Sequence, residues 1–357
     1  MRLVLSSESF KKSVSAAQSL ISESQILLTA NSKDGTLTIE AGHSGVYLKQ
    51  VISAQVHENG SIVLNGSYVS SLRISGPVEL STGKDNKLYF KTNKLSGTVE
   101  SHQDSGKITS QRPDDLIENQ VSLSKDTISR GVSKTNFSAI MAATQEGLRV
   151  RITDKLTVST TDQWRLSLFK SSLPPIAKKE LDFLIKPEIL AAVIHKIEEP
   201  EVGFGIKDGI IKIASPSFEF YHPTIQTEPT DIEGWLNELD PNDRIGHIKT
   251  NAEELYDLIA GVGSINQIKT EDPKISCTIK NGKLQVKVET VQGSAKGEME
   301  LEGSSVDNYQ LTLNCKQTLE MLALIKEGEL TVHIYDAYII LFSGDEQCVS
   351  VVPTVTL

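Results

Sequence analysis

SIVLNGSYVSSLRISGPVELSTGKDNKLYFKTNKLSGTVES, residues 61–101, decides how the chain is read. It opens with a short alternating strand and passes into a short helix. It then stops at Gly76-Pro77 and returns in three short alternating strands. The same order recurs in LDFLIKPEILAAVIHKIEEPEVGFGIKDGIIKIASPSFEFYHP, residues 181–223, with Pro200 as the stop. It recurs again in YQLTLNCKQTLEMLALIKEGELTVHIYDAYIILFSGDEQCVSVVP, residues 309–353, with Gly328 as the stop.

A second pattern precedes each copy. MRLVLSSESFKKSVSAAQSLI, NQVSLSKDTISRGVSKT and RIGHIKTNAEELYDLIAGVG each read as strand, polar cap and amphipathic helix. In the first, Phe10, Val14, Ala17 and Ile21 recur at helical spacing and form one apolar stripe. Ser6 or Ser7 is its expected cap. Hairpins follow each helix, and Asp34-Gly35 and Asn281-Gly282 are tight-turn signals. One module therefore occurs three times at a spacing of about 120 residues, the size of an ordinary domain. The connectors ITSQRPDDLIENQ and TEPTDIEGWLNELDPNDR place domains at 1–115, 116–243 and 244–357. The expected class is α+β, with two helices packed on antiparallel sheets in each module. Open sheet edges invite end-to-end joining of modules, an architecture that can close into a ring.

Composition narrows the function. The chain of 357 residues is 38% hydrophobic and 23% charged, as a folded protein should be. No run approaches the roughly 20 apolar residues of a membrane span, and MRLVLSSESF lacks the apolar core of a signal peptide. A cytoplasmic protein is expected, and the sequons at Asn59, Asn65 and Asn136 then carry no glycan. Cys277, Cys315 and Cys348 lack CxxC spacing and read as small buried hydrophobes rather than a disulfide frame. The net charge of −10 has the wrong sign for a surface that grips nucleic acid everywhere, but leaves room for one basic face. The seven histidines show no metal or triad spacing. GFGIKDG, residues 203–209, reads as a hairpin turn, and no P-loop is present. No cofactor, metal or small-molecule substrate is expected.

One stretch stands apart from its counterparts in the other two modules: STTDQWRLSLF, residues 159–169. On residues alone, Asp162 and Arg165 could be a salt-bridged turn beside a core Trp164, a catalytic pair with a histidine, or the wall of a docking cleft. A feature confined to one copy of three is not required by the fold.

Here the chain resembles the bacterial DNA polymerase III β subunit, the sliding clamp. That family carries Thr-Asp-Gly-His-Arg-Leu where this chain has Thr161-Asp162-Gln163-Trp164-Arg165-Leu166. Its apolar tail contains Met-Pro-Met, where this chain has Val352-Pro353-Thr354 before Val355, Thr356 and Leu357. The three-module layout extends the resemblance over the whole chain. It implies a non-catalytic, head-to-tail homodimeric ring around duplex DNA, held without sequence preference. It also implies that polymerase and clamp-loader peptides dock in a pocket between domains 2 and 3. Carried over residue by residue, that pocket comprises Leu148, Thr161, Gln163, Trp164, Arg165 and Leu166 from the middle domain. Val351, Val352, Pro353 and Thr354 come from the tail, with Asn314, Gln317, Ile275 and Ile340 beside them. Helix charges expected to face DNA are Lys11, Lys12, Arg73, Lys125, Arg130, Lys134, Lys196, Lys316 and Lys326, with acidic Glu253, Glu254 and Asp257 interrupting them. The edge strand near Leu95–Val99 is the expected dimer contact. The altered turn and tail mark a divergent member, which a phage or plasmid source would explain. A repeat scaffold that docks peptides without binding DNA is the alternative.

Overall fold

The computed structural model describes residues 1–21, 25–102, 106–113, 117–137, 147–173, 180–266, 274–290, 293–345 and 347–355. The expected boundary at 115 and the terminal Thr356-Leu357 lie outside them.

The strand–helix–strands–helix–strands order stands three times along the chain. The first copy runs β1 (Arg2–Ser6), α1 (Ser7–Leu20), β2 (Gln25–Asn31), β3 (Thr36–His43), β4 (Val46–Ser53), β5 (Gln55–Glu58), β6 (Gly60–Asn65), α2 (Gly66–Ser71), β7 (Pro77–Thr82), β8 (Lys87–Lys91) and β9 (Ser96–His102). A short helix α3 (Gly106–Thr109) follows. The second runs β10 (Val121–Ser124), α4 (Lys125–Thr135), β11 (Leu148–Ile152), β12 (Lys155–Thr161), β13 (Leu166–Ser172), β14 (Leu181–Ile185), α5 (Pro187–Lys196), β15 (Glu201–Lys207), β16 (Ile210–Ser215) and β17 (Phe218–Pro223). A connecting helix α6 (Ile232–Glu238) leads on. The third runs β18 (Gly246–Asn251), α7 (Ala252–Gly263), β19 (Lys274–Lys280), β20 (Lys283–Thr290), β21 (Gly293–Glu300), β22 (Gly303–Ser304), β23 (Tyr309–Asn314), α8 (Cys315–Leu324), β24 (Glu329–Ile334), β25 (Tyr338–Ser343) and β26 (Cys348–Pro353).

The chain divides into two compact units, one built chiefly on Met1–Ile128 and Glu188–Ile225, the other on Ser129–Ile176, Glu180–Pro187 and Gln226–Leu357. The first holds a 13-stranded sheet in the order β10-β15-β16-β17-β4-β3-β2-β6-β9-β8-β7-β1-β5. Phe10, Val14, Ala17 and Ile21 are buried, as the apolar stripe of α1 requires. The expected Ser6 cap is in place by backbone only: its side chain makes no capping bond. Asn65 does cap α2, accepting from the backbone of Ser67. Asp208 and Gly209, in the stretch read as a hairpin turn, take positive φ between β15 and β16.

The second unit holds a nine-stranded sheet, β14-β11-β12-β13-β26-β25-β24-β18-β22, and a four-stranded sheet, β21-β20-β19-β23. The middle repeat's strands are thus divided: β10 and β15–β17 join the first unit's sheet, β11–β14 the second's. Gly131 lets α4 approach β12 and β13, since a Cβ there would lie 2.8 Å from Val158 Cγ2. All three cysteines are free and buried, and burial, with Cys315 nearby, pushes the Cys277 thiol up to about 12. They are unreactive core groups. Among the described residues no helix is long and apolar enough to cross a membrane, and no cluster of ligating side chains could hold a metal.

Candidate functional site

The turn from β12 to β13 is built by its own polar side chains. Asp162 N–H donates to the Arg165 carbonyl at 3.2 Å, closing a tight turn. Asp162 Oδ1 accepts from the backbone N–H of Trp164 at 3.2 Å and of Arg165 at 2.8 Å. Thr161 Oγ1 accepts from Gln163 N–H and donates to the Arg165 carbonyl. Gln163 sits at φ +71°, a left-handed conformation that favours glycine. A glycine would adopt this φ without strain, and Gln163 holds it with a side chain.

Arg165 points inward. Its Nε and Nη2 donate to Asp162 Oδ2 at 3.2 and 2.9 Å, and Nη1 donates to Glu320 Oε2 on α8 at 2.7 Å. Its guanidinium carbon lies 4.7 Å from the centre of the Phe137 ring. Arg165 is 1% exposed and Asp162 0%, whereas Trp164 is 60% exposed. Two expectations change accordingly. Trp164 is not a core residue, and Arg165 is not a surface wall; it fastens the turn to α8. An inward guanidinium with two carboxylate partners also leaves Asp162 no free oxygen for acid–base work.

Strand register sorts the remaining candidates by face, because successive side chains alternate. Thr161, Leu166, Val351 and Ile340 are consecutive cross-strand partners in a single row. Pro353 pairs with Tyr338 one position further along the same face. Leu148 and Val352 fall on the opposite face and are fully buried, as is Ile275 in the four-stranded sheet. These three belong to the core, and on the outer row Thr161, Ile340 and Val351 are buried as well, which leaves Leu166 as its partly open member. On that opposite face Ser167 Oγ meets Ser350 Oγ at 3.3 Å and donates to the Lys134 carbonyl of α4. Asn314 caps α8, accepting from Gln317 N–H at 3.1 Å. The tail reaches it, with Thr354 bridging Leu313 and Val355 N–H bonding the Thr312 carbonyl. The turn, the start of α8 and the tail are therefore tied together by Arg165–Glu320 and Thr354–Leu313.

The sequence reading passed over α6. Ile232, Trp235, Leu236 and Leu239 pack onto the outer row with Leu168, Val349 and Tyr338. The Trp235 and Tyr338 rings lie 5.5 Å apart. Asp231 caps the helix through Gly234 N–H at 3.0 Å, and Glu233 anchors it to Lys155 at 2.8 Å and Lys170 at 3.0 Å. Burial alone would raise the Glu233 carboxyl's pKa, but these two lysines hold it below the ordinary value. The signal was present: residues 232, 235, 236 and 239 follow helical spacing inside what read as a polar connector.

The nine basic candidates do not form one class. Lys11 and Lys12 lie on α1, Lys125, Arg130 and Lys134 on α4, Lys196 on α5 and Lys316 on α8. Arg73 and Lys326 lie beyond the ends of their helices, a correction set by where α2 and α8 stop. Lys12 pairs with Glu198, Lys125 donates to the Ile197 carbonyl, and Lys326 stacks 4.7 Å over the Tyr256 ring.

Neither the family models nor the curated proteins give a match to this sequence. The solved structures do. The β subunit of DNA polymerase from Streptococcus pyogenes matches with a TM-score of 0.86 at 15% identity, covering 100% of both chains. The DNA polymerase III subunit β from Pseudomonas aeruginosa matches at 0.83 and 16%, again over 100% of both. The Helicobacter pylori β clamp, solved with a difluorobenzamide, matches at 0.84 and 17% with the same coverage. The chain has the sliding-clamp fold. At this identity the likeness is one of fold, and the expected three-module α+β class stands.

Proposed function

We propose that the chain is a divergent bacterial-type sliding clamp. In this reading it is a non-catalytic processivity factor that encircles duplex DNA as a head-to-tail homodimer in the cytoplasm. The carrying observation is the clamp fold matched over the full length of both chains. The threefold order of elements supports reading three clamp modules at 1–115, 116–243 and 244–357. Encirclement replaces affinity, since a tethered polymerase rebinds at high effective concentration after each release. A surface of net charge −10 suits a ring that slides rather than grips. Lys11, Arg130, Lys134, Lys196 and Lys316, which have no ion pair among the described residues, then make sequence-independent phosphate contacts.

Two open edges support head-to-tail closure. Among the described residues, 96–100 of β9 pair with β8 alone, because β6 reaches only Ser101 and His102. β21 ends the four-stranded sheet and, among the described residues, pairs with β20 alone. A second copy's β21 suits the β9 edge because each offers an open antiparallel strand.

Polymerase and clamp-loader peptides are read as docking at the partly open Leu166 end of the outer row, whose Thr161, Ile340 and Val351 are buried and form its base. Trp164, Gln163, Pro353 and Thr354 form the accessible margin, and Arg165, Asn314 and Gln317 hold it in place. Exposed Trp164 is the expected hot spot, and Trp164→Ala should cost about 2 kcal/mol of polymerase-peptide affinity by calorimetry. Unchanged affinity would remove the site from this turn. The ring itself is tested by light scattering, where twice the chain's 39.0 kDa is expected, and by retention on nicked circular DNA with release on linearisation. A dimer that is not retained on circular DNA would favour the peptide-docking scaffold.

A further inference from the structure

The outer face of the nine-stranded sheet carries a second feature, one row along from Thr161, Leu166, Val351 and Ile340. Lys249, Thr331, Phe342, Val349 and Leu168 are consecutive cross-strand partners there. A cavity of about 560 Å³ opens over this row, within the range of ligand pockets. Phe342, Ile340 and Val349 form an apolar patch at its floor, with Leu236 and Leu239 of the connecting segment as a wall, while Asn237, Thr331, His333 and Ser343 make much of the remaining lining polar. Its rim carries Lys170, Arg244 and Lys249 against one carboxylate, Glu329.

The three cations are not equivalent. Lys249 lies 3.4 Å from Glu329, and Lys170 lies 3.0 Å from Glu233. Half-buried Arg244 has no carboxylate partner among the described residues. Its side-chain hydrogen bond runs from Nη1 to His333 Nε2 at 3.4 Å. A guanidinium only donates, so Nε2 must accept and the ring must be neutral. Burial, then Arg244 and then His247, hold His333 down at about 4, so the imidazole is neutral at pH 7 and adds no charge beside Arg244. Arg244 thus brings a forked cation, with no carboxylate partner among the described residues, to the mouth of a cavity with an apolar patch at its floor, on a chain that is acidic overall.

We propose that this cavity docks an acidic segment of a partner protein, one carboxylate on Arg244 and a neighbouring apolar side chain on the Phe342 floor. The charge complementarity and the apolar floor together select a peptide. A nucleic-acid backbone would satisfy the cations and leave the floor unfilled. The site goes beyond the clamp reading and does not depend on ring closure.

Fluorescence anisotropy on the full chain tests it, with a labelled decapeptide of Glu, Asp, Leu and Phe and a control in which amides replace the carboxylates. The acidic peptide should bind about tenfold or more tightly than the control, and Arg244→Gln should remove that difference. Lys249→Gln, at an exposed strand position, should weaken binding by a smaller factor. Equal affinity for the two peptides, or an affinity that neither substitution moves, overturns the proposal. Binding that falls with Trp164→Ala but not with Arg244→Gln also overturns it, by assigning the peptide to the other row. The readout uses no DNA, so its failure and a failure of the clamp reading are separate results.

Discussion

Two arginines of the second unit face opposite problems. Arg165 is 1% exposed and lies between two carboxylates and an aromatic ring. Arg244 is half-buried, beside a neutral imidazole and an open cavity. A buried guanidinium must be neutralised within the fold, and once it is, it becomes an anchor. A partly buried one with no carboxylate partner keeps its charge available to whatever arrives. The difference separates architecture from receptor more clearly than residue type does, since both would read as hot-spot arginines in a sequence.

The largest expected effect breaks the first member. Arg165→Ala leaves Asp162 buried without its cation and cuts the tie to α8, which should cost about 3–5 kcal/mol in denaturant unfolding. Arg244→Ala removes one long bond to a neutral partner and should cost less than about 1 kcal/mol. If the two substitutions cost the same, the distinction fails and Arg244 is as structural as Arg165.

The same contrast explains what could be read from the chain alone. The threefold order was legible because strand alternation, helical stripes and Gly or Pro stops are local signals, and Gly76, Gly328 and Pro200 punctuate all three copies. The stretch around Trp164 was legible as special because its counterparts lack it. Its inside and outside were not legible. Whether Arg165 or Trp164 faces solvent depends on Glu320, 155 residues away. Likewise Val351 and Val352 are adjacent in sequence, and only the pairing of β26 with β13 puts Val351 on the outer row. Helix α6 was missed for another reason: its four apolar residues sit among Asp, Glu, Asn and Pro, and composition outweighed spacing.

A pH series probes the second arginine. His333 is held at about 4 against 6.5 when unfolded, by burial first and then by Arg244 and His247. Below the unfolded value the unfolded chain binds the proton and the folded chain does not. This contribution to stability is therefore present above pH 6.5 and is lost as pH falls toward 4. Half exposure screens the effect, leaving about 1 kcal/mol over that window. Arg244→Gln removes one of the two cationic causes and should flatten the slope relative to the parent chain. A slope unchanged in Arg244→Gln would mean the guanidinium exerts no field on the ring, and the cavity's charge would then be weaker than its geometry suggests.

The smallest effect concerns the turn that Arg165 anchors. Gln163 is held at φ +71° by Thr161 Oγ1 and by the Asp162–Arg165 turn, although a side chain there is strained. Gln163→Gly should relieve that strain and stabilise the chain by up to about 1 kcal/mol, even though glycine usually destabilises through the unfolded state. The gain should vanish in an Arg165→Ala background, where nothing compels the turn to keep its conformation. A stabilisation that persists there would show that Gln163 is strained by its immediate neighbours alone. The buried ion pair would then fasten α8 without shaping the edge that carries Trp164.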